Sequence, residues 1–141
     1  MSLSESVFSV IDVLATLRTH LLAQAPLVSL VSTRIYAGVT FPPSAYVPGQ
    51  AALTFNSRGG APSFDGRILS ESFTFKCYGA GDTGAMATYR TLADVLHESH
   101  GANIRHAELE VAGTLLYEEE PVNWPFVLTF FRVVFNSQLG V

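Results

Sequence analysis

Apolar residues recur at helical spacing near the start of the chain, where Val7, Val10, Ile11, Leu14, Leu17 and Leu21 form one stripe. That spacing predicts a helix over residues 4–24, with Ser4 or Ser6 as N-cap and Glu5 where the helix dipole favours an anion. Pro26 is expected to stop it. The segment APLVSLVSTRIYAG (25–38) reads as a short apolar turn. FPPSAYVPG (41–49), with three prolines, reads as an extended crossing.

From residue 50 the period becomes alternating. QAALTFNS (50–57) predicts a strand, and RGGAPSFDG (58–66) a hairpin loop. In RILSESFTFKCYG (67–79), Phe73, Phe75 and Cys77 share one side, and Ser72, Thr74, Lys76 and Tyr78 the other. Asp82 or Thr83 then caps a second helix that buries Ala85, Met86, Tyr89, Leu92, Ala93 and Leu96 and ends at Gly101. NIRHAELEVAG (103–113) alternates again, with Arg105, Ala107, Leu109 and Val111 on one side and His106, Glu108 and Glu110 on a wet side. LLYEEEPVNWP (115–125) reads as a polar connection. FVLTFFRVVFN (126–136) is a strand apolar on both faces except at Thr129 and Arg132. The expected fold is α+β: one domain over 1–141, with a four-stranded, mainly antiparallel sheet and two helices packed on one face. Those helices leave the second apolar face of 126–136 to be covered by another subunit.

Composition strengthens that expectation. Charged residues make up 14% of 141 residues, against about 25% in ordinary soluble domains. So few charges leave wide uncharged surface, which suits a protein covered by partners. The net charge is −4, and the scattered Lys and Arg residues form no basic stripe of the kind that neutralises phosphates. Cys77 is the single cysteine, so neither an intrachain disulfide nor a thiolate cluster is expected. The first residues lack the basic start of a signal peptide, and no apolar run reaches membrane-spanning length. A soluble chain, made in the cytoplasm, is expected.

The chemical candidates are few. His97 and His100 stand three apart at the end of the second helix, a spacing compatible with metal ligation but not with the four-residue zincin pattern. Cys77 is expected to be a buried, unreactive thiol. GAGDTG (79–84) matches G-x-G-x-x-G, yet the alternation after it suits an antiparallel strand better than a parallel nucleotide-binding unit. An enzyme is not expected, nor a cofactor or metal. Glu118, Glu119 and Glu120 form a charge run that is either a solvated loop or, in a ring, a lumen lining that repels DNA phosphates. Arg132, within an apolar strand, needs an acidic partner from its own subunit or a neighbour.

The order of segments resembles the tail terminator and tail-completion proteins of long-tailed bacteriophages and gene-transfer particles. PLVSLVSTRIYAG (26–38), the proline-rich crossing, FTFKCYG (73–79), AMATYRTLADVLH (85–97) and the two final strands carry the resemblance over nearly the whole chain. The resemblance implies a virion subunit that forms a hexameric ring at the head-proximal end of the tail tube. Its partners would be copies of itself, the tail-tube protein and a neck or head-completion protein, with DNA only passing through the lumen and no membrane involved. It also implies that loop 58–66 is an arm contacting a neighbour. Arg58, Phe64, Asp65 and Arg67 are the interface candidates by that analogy, with Arg132 beside them.

Overall fold

The computed structural model describes residues 12–62, 68–120 and 122–136. Phe64, Asp65 and Arg67 therefore lie outside the described residues, as does the part of the expected first helix before Asp12. Asp12 caps α1 (Val13–Leu22), its carboxylate accepting from the Ala15 N–H at 3.1 Å. Pro26 starts a helix where it was expected only to end one. It occupies the first turn of α2 (Ala25–Val31), where the N–H it lacks would have no intrahelical partner. The axes of α1 and α2 differ by 92°.

The sheet consists of β1 (Ile35–Ala37), β2 (Ala52–Pro62), β3 (Ile68–Tyr78), β4 (Ile104–Tyr117) and β5 (Pro125–Asn136), with α3 (Gly81–Leu96) between β3 and β4. Its order is β1-β2-β3-β5-β4; β1 is parallel to β2 and every other pair is antiparallel. Five strands and three helices are thus present among the described residues, where four and two were expected. The additional helix and strand both come from 25–38, which is too short and too Pro- and Ser-broken to show a period. β3 and β4 both run antiparallel to β5, so α3 crosses between two strands of the same direction with β5 inserted between them.

Strand bounds also moved. β2 runs on through the predicted loop to Pro62, because a register shift between Ser57 and Gly59, where Gly59 has a φ of 100°, keeps it paired with β3. β4 includes Leu115–Tyr117, which read as part of a polar connection. α3 opens at Gly81 without a side-chain cap and closes at Leu96, with His97 rather than Gly101 at its C-cap.

All three helices pack on one face of the sheet. Phe55, Phe73, Phe75, Phe131 and Phe135 meet Leu17, Leu21, Leu27, Leu92 and Leu96 there, in a continuous buried core. Burial of each such ring contributes about 2–3 kcal/mol. The other face divides in two. Over one half the crossing 38–51 folds back as a roof: Tyr46 is buried against Tyr78 and Phe126, and Phe41 stacks on Trp124 at 5.0 Å. Part of the cover expected from a second subunit is therefore supplied by the chain itself. Leu128 packs against this roofed cluster, while Phe130 and Val134, further along β5, stay half-buried among the described residues.

Candidate interaction surface

Two of the histidines, His20 and His97, serve the fold. His97 accepts the Leu109 N–H on Nδ1 at 2.9 Å, tying the end of α3 to β4. His20 is buried in α1 with Nε2 2.9 Å from the Ser99 hydroxyl; burial first, and His100 nearby second, hold its imidazole below the usual histidine range. Among the described residues no group of three or more His, Cys, Asp or Glu is placed to hold a metal. Cys77 is fully buried, and that burial pushes its thiol far up, away from the nucleophilic thiolate.

The glycines of GAGDTG are explained by close packing and by backbone conformation. A Cβ on Gly79 would lie 2.3 Å from the Gly84 carbonyl carbon, so strand end and helix start touch peptide to peptide. Gly81 has a φ of 67°. Asp82, in the first turn of α3, is taken up by the Tyr117 hydroxyl.

The face without helices carries two ionic clusters. Under the roof, Lys76 Nζ lies 2.6 Å from Glu118 Oε2 and donates to the Thr40 carbonyl at 2.8 Å. The Tyr78 hydroxyl donates to the same Glu118 oxygen at 2.6 Å, and burial pushes that phenol far up. Lys76 also sits over the Phe126 ring, 4.3 Å from its centre. Both charged side chains are 15% exposed. Glu118 is thus committed inside its own subunit, while Glu119 and Glu120 are exposed on the β4–β5 turn.

The second cluster lies on the other half, which no described segment covers. Arg132 grips Glu110 through Nε at 3.2 Å and Nη2 at 2.9 Å, and its Nη1 donates to the Ser70 hydroxyl at 3.0 Å. Ser72 donates to the other Glu110 oxygen at 2.6 Å. The Ser72 hydroxyl, followed by Arg132 and Arg58, holds the Glu110 carboxyl below the usual carboxylate range. Arg58 is held more loosely: its guanidinium is 3.8 Å from Glu110 and lies over the Phe130 ring, 4.2 Å from the centre. The side chains of Arg58, Arg132 and Glu110 are 47%, 39% and 27% exposed.

Two residues chosen from the sequence, Arg58 and Arg132, are therefore brought together from strands that are not neighbours, with Glu110 between them. The acid that Arg132 requires belongs to its own subunit. Glu110 was legible only as one member of a wet alternation. Val111, expected beside Leu109 on the core side, instead faces outward beside the cluster and is 47% exposed. The cause is a bulge: Leu109 pairs with Phe131 and Val111 with Phe130, adjacent residues whose side chains point to opposite faces. Another shift between Ile104 and His106 leaves Arg105 exposed and gives the core position to Ile104.

No protein-family model matches the sequence, and no curated protein matches it. A solved structure described as the virion of a native gene transfer agent (GTA) particle contains a chain with a similar fold, at a TM-score of 0.59 and 19% sequence identity. The match covers 89% of this chain and 98% of that one. It shows a shared fold.

Proposed function

We propose that this chain is a virion structural subunit which closes with copies of itself into a ring, ends the tail tube and joins the tail to the neck. The observation that carries this reading is the uncovered half of the sheet. There, Phe130, Val134 and Val111 surround an accessible arginine cluster, a mixture of apolar and guanidinium groups suited to burial against protein. The fold shared with a chain of a GTA virion, end to end, supports placing that subunit in a virion. The sequence resemblance to tail terminators supports the position at the tube end and a hexameric count. On this reading the tail-tube protein and a neck or head-completion protein are its other partners. DNA passes through the lumen without being bound, and neither a membrane nor a cofactor takes part. The chain is made in the host cytoplasm and ends in the virion.

Electron microscopy of the purified full chain, alone and mixed with tail-tube protein, tests this. Single closed rings are expected. Open helical stacks would make it a tube subunit instead. Monomers under both conditions would contradict a ring-forming role.

A further inference from the structure

The uncovered half of the sheet has an unequal charge count at its centre. Among the described residues, two guanidinium groups, Arg58 and Arg132, share the single carboxylate of Glu110. Glu108, opposite Arg132 in the strand register, has its carboxylate 3.9 Å from His106 Nε2. Arg132 spends its donors on Glu110 and Ser70, but among the described residues Arg58 has a long contact to Ser72, at 3.4 Å, and a distant one to Glu110. Phe130 beneath fixes its plane while nearly half of the side chain stays exposed. A flat, pre-oriented guanidinium with free N–H groups beside half-buried apolar residues is suited to a carboxylate arriving with an apolar neighbour.

The same chain presents such a group elsewhere. The β4–β5 turn carries Glu119 and Glu120, both exposed, with exposed Val122 following and Leu116 and Tyr117 at its base. Glu118 of this run is already consumed by Lys76 and Tyr78. From Pro125, at the base of the turn, to Arg132 is seven residues of β5, or about 23 Å of extended strand. The two features therefore cannot meet within one copy.

We propose that Glu119 and Glu120 of one copy dock on the Arg58 cluster of the next. Because turn and cluster are different surfaces, the contact is head-to-tail, and repetition closes a ring or runs on as a filament. This assigns Glu119 and Glu120 to the contact between copies rather than to a lumen lining, and it rests on the self-assembling reading above.

Light scattering and native mass spectrometry of the full chain over a concentration series provide the test. Glu119→Arg with Glu120→Arg, and separately Arg58→Glu, are each expected to raise the concentration at half-assembly by about tenfold or more. An equimolar mixture of the two variant proteins is expected to recover assembly with the two alternating along the contact, since each surface of one is complementary to the facing surface of the other. Arg58→Ala, which adds no charge beside Glu110, should weaken assembly in the same direction, and circular dichroism reports whether each variant is folded. Assembly unchanged in all variants would overturn the proposal while leaving the ring reading in place. Weakening by each reversal without association in the mixture would also overturn it. A wild-type chain that stays monomeric throughout would instead overturn the ring reading on which the proposal rests.

Discussion

The two halves of the helix-free sheet face are built from similar parts and differ in what covers them. Each has a β5 phenylalanine, a cation lying over that ring and a carboxylate from β4 or the residue following it. In the roofed half, Lys76 lies over Phe126 and binds Glu118, and the crossing with Tyr46 shuts out most of the water. In the other half, Arg58 lies over Phe130, Glu110 is shared with Arg132, and no described segment covers them. The Lys76–Glu118 pair is 15% exposed on each side, against 47% and 27% for Arg58 and Glu110. An ion pair in the first setting is costly to break, because removing one partner leaves a desolvated charge. In the second, water screens the pair and its worth to the monomer is small. Its groups remain available to a partner.

Truncation of the two rings separates the halves most strongly. Phe126→Ala is expected to cost about 3 kcal/mol, since it empties a packed site beneath Tyr46 and Trp124. Phe130→Ala should cost the isolated subunit less than about 1.5 kcal/mol, because its ring is only half-buried. Urea unfolding of dissociated protein measures both, and equal losses would erase the distinction between the halves.

Neutralising the acids is the next largest contrast. Glu118→Gln should lose about 2 kcal/mol, because a neutral amide no longer compensates the largely buried Lys76 ammonium. Glu110→Gln should lose less than about 1 kcal/mol from the monomer. The same urea series reports both, and the reverse order would place the structural cluster in the wrong half.

The Glu110 contribution has a defined pH window. Its carboxyl is held below the usual range in the folded chain. The stability it adds is therefore fully present above the ordinary glutamate pKa of about 4.3 and fades as pH falls through the lower, folded value. Thermal unfolding of wild type and Glu110→Gln should differ above that point and converge below it. Curves that stay parallel down to acid pH would contradict the sign.

The smallest expected effect lies in the helix layer and acts as a control. His20 is held below the usual histidine range by burial and by His100. The unfolded chain then takes up the proton first, and stability declines as pH falls below about 6.5. Thermal scans of His20→Gln should lose this decline while keeping the Glu110 effect. Persistence of the decline would move it to another group.

What the sequence disclosed follows how local each signal is. The alternation of Phe73, Phe75 and Cys77, and the stripe of α3, depend on neighbours along the chain and were legible. So was the two-sided apolar character of β5. The roof was not, because Tyr46 reaches Tyr78 and Phe126 across long separations, and three prolines announce only an extended path. α2 was hidden because Pro26 can end one helix or begin another. The bulges of β4 were equally silent: nothing in NIRHAELEVAG marks where one residue is skipped, yet that skip turns Val111 outward beside Glu110. Arg58 and Arg132 were found as residues, but their shared carboxylate was not, since pairing through Glu110 depends on strand order and register.

On the proposed reading, assembly covers the half of the sheet that no described segment covers and leaves the roofed half as it is. Hydroxyl-radical footprinting of the full chain, compared between dissociated and assembled protein, tests it most directly. Labelling of Phe130 and Val111 is expected to fall sharply on assembly while that of Tyr46 and Phe126 stays low in both states. Unchanged labelling of Phe130 and Val111 in a chain that has demonstrably assembled would contradict the account.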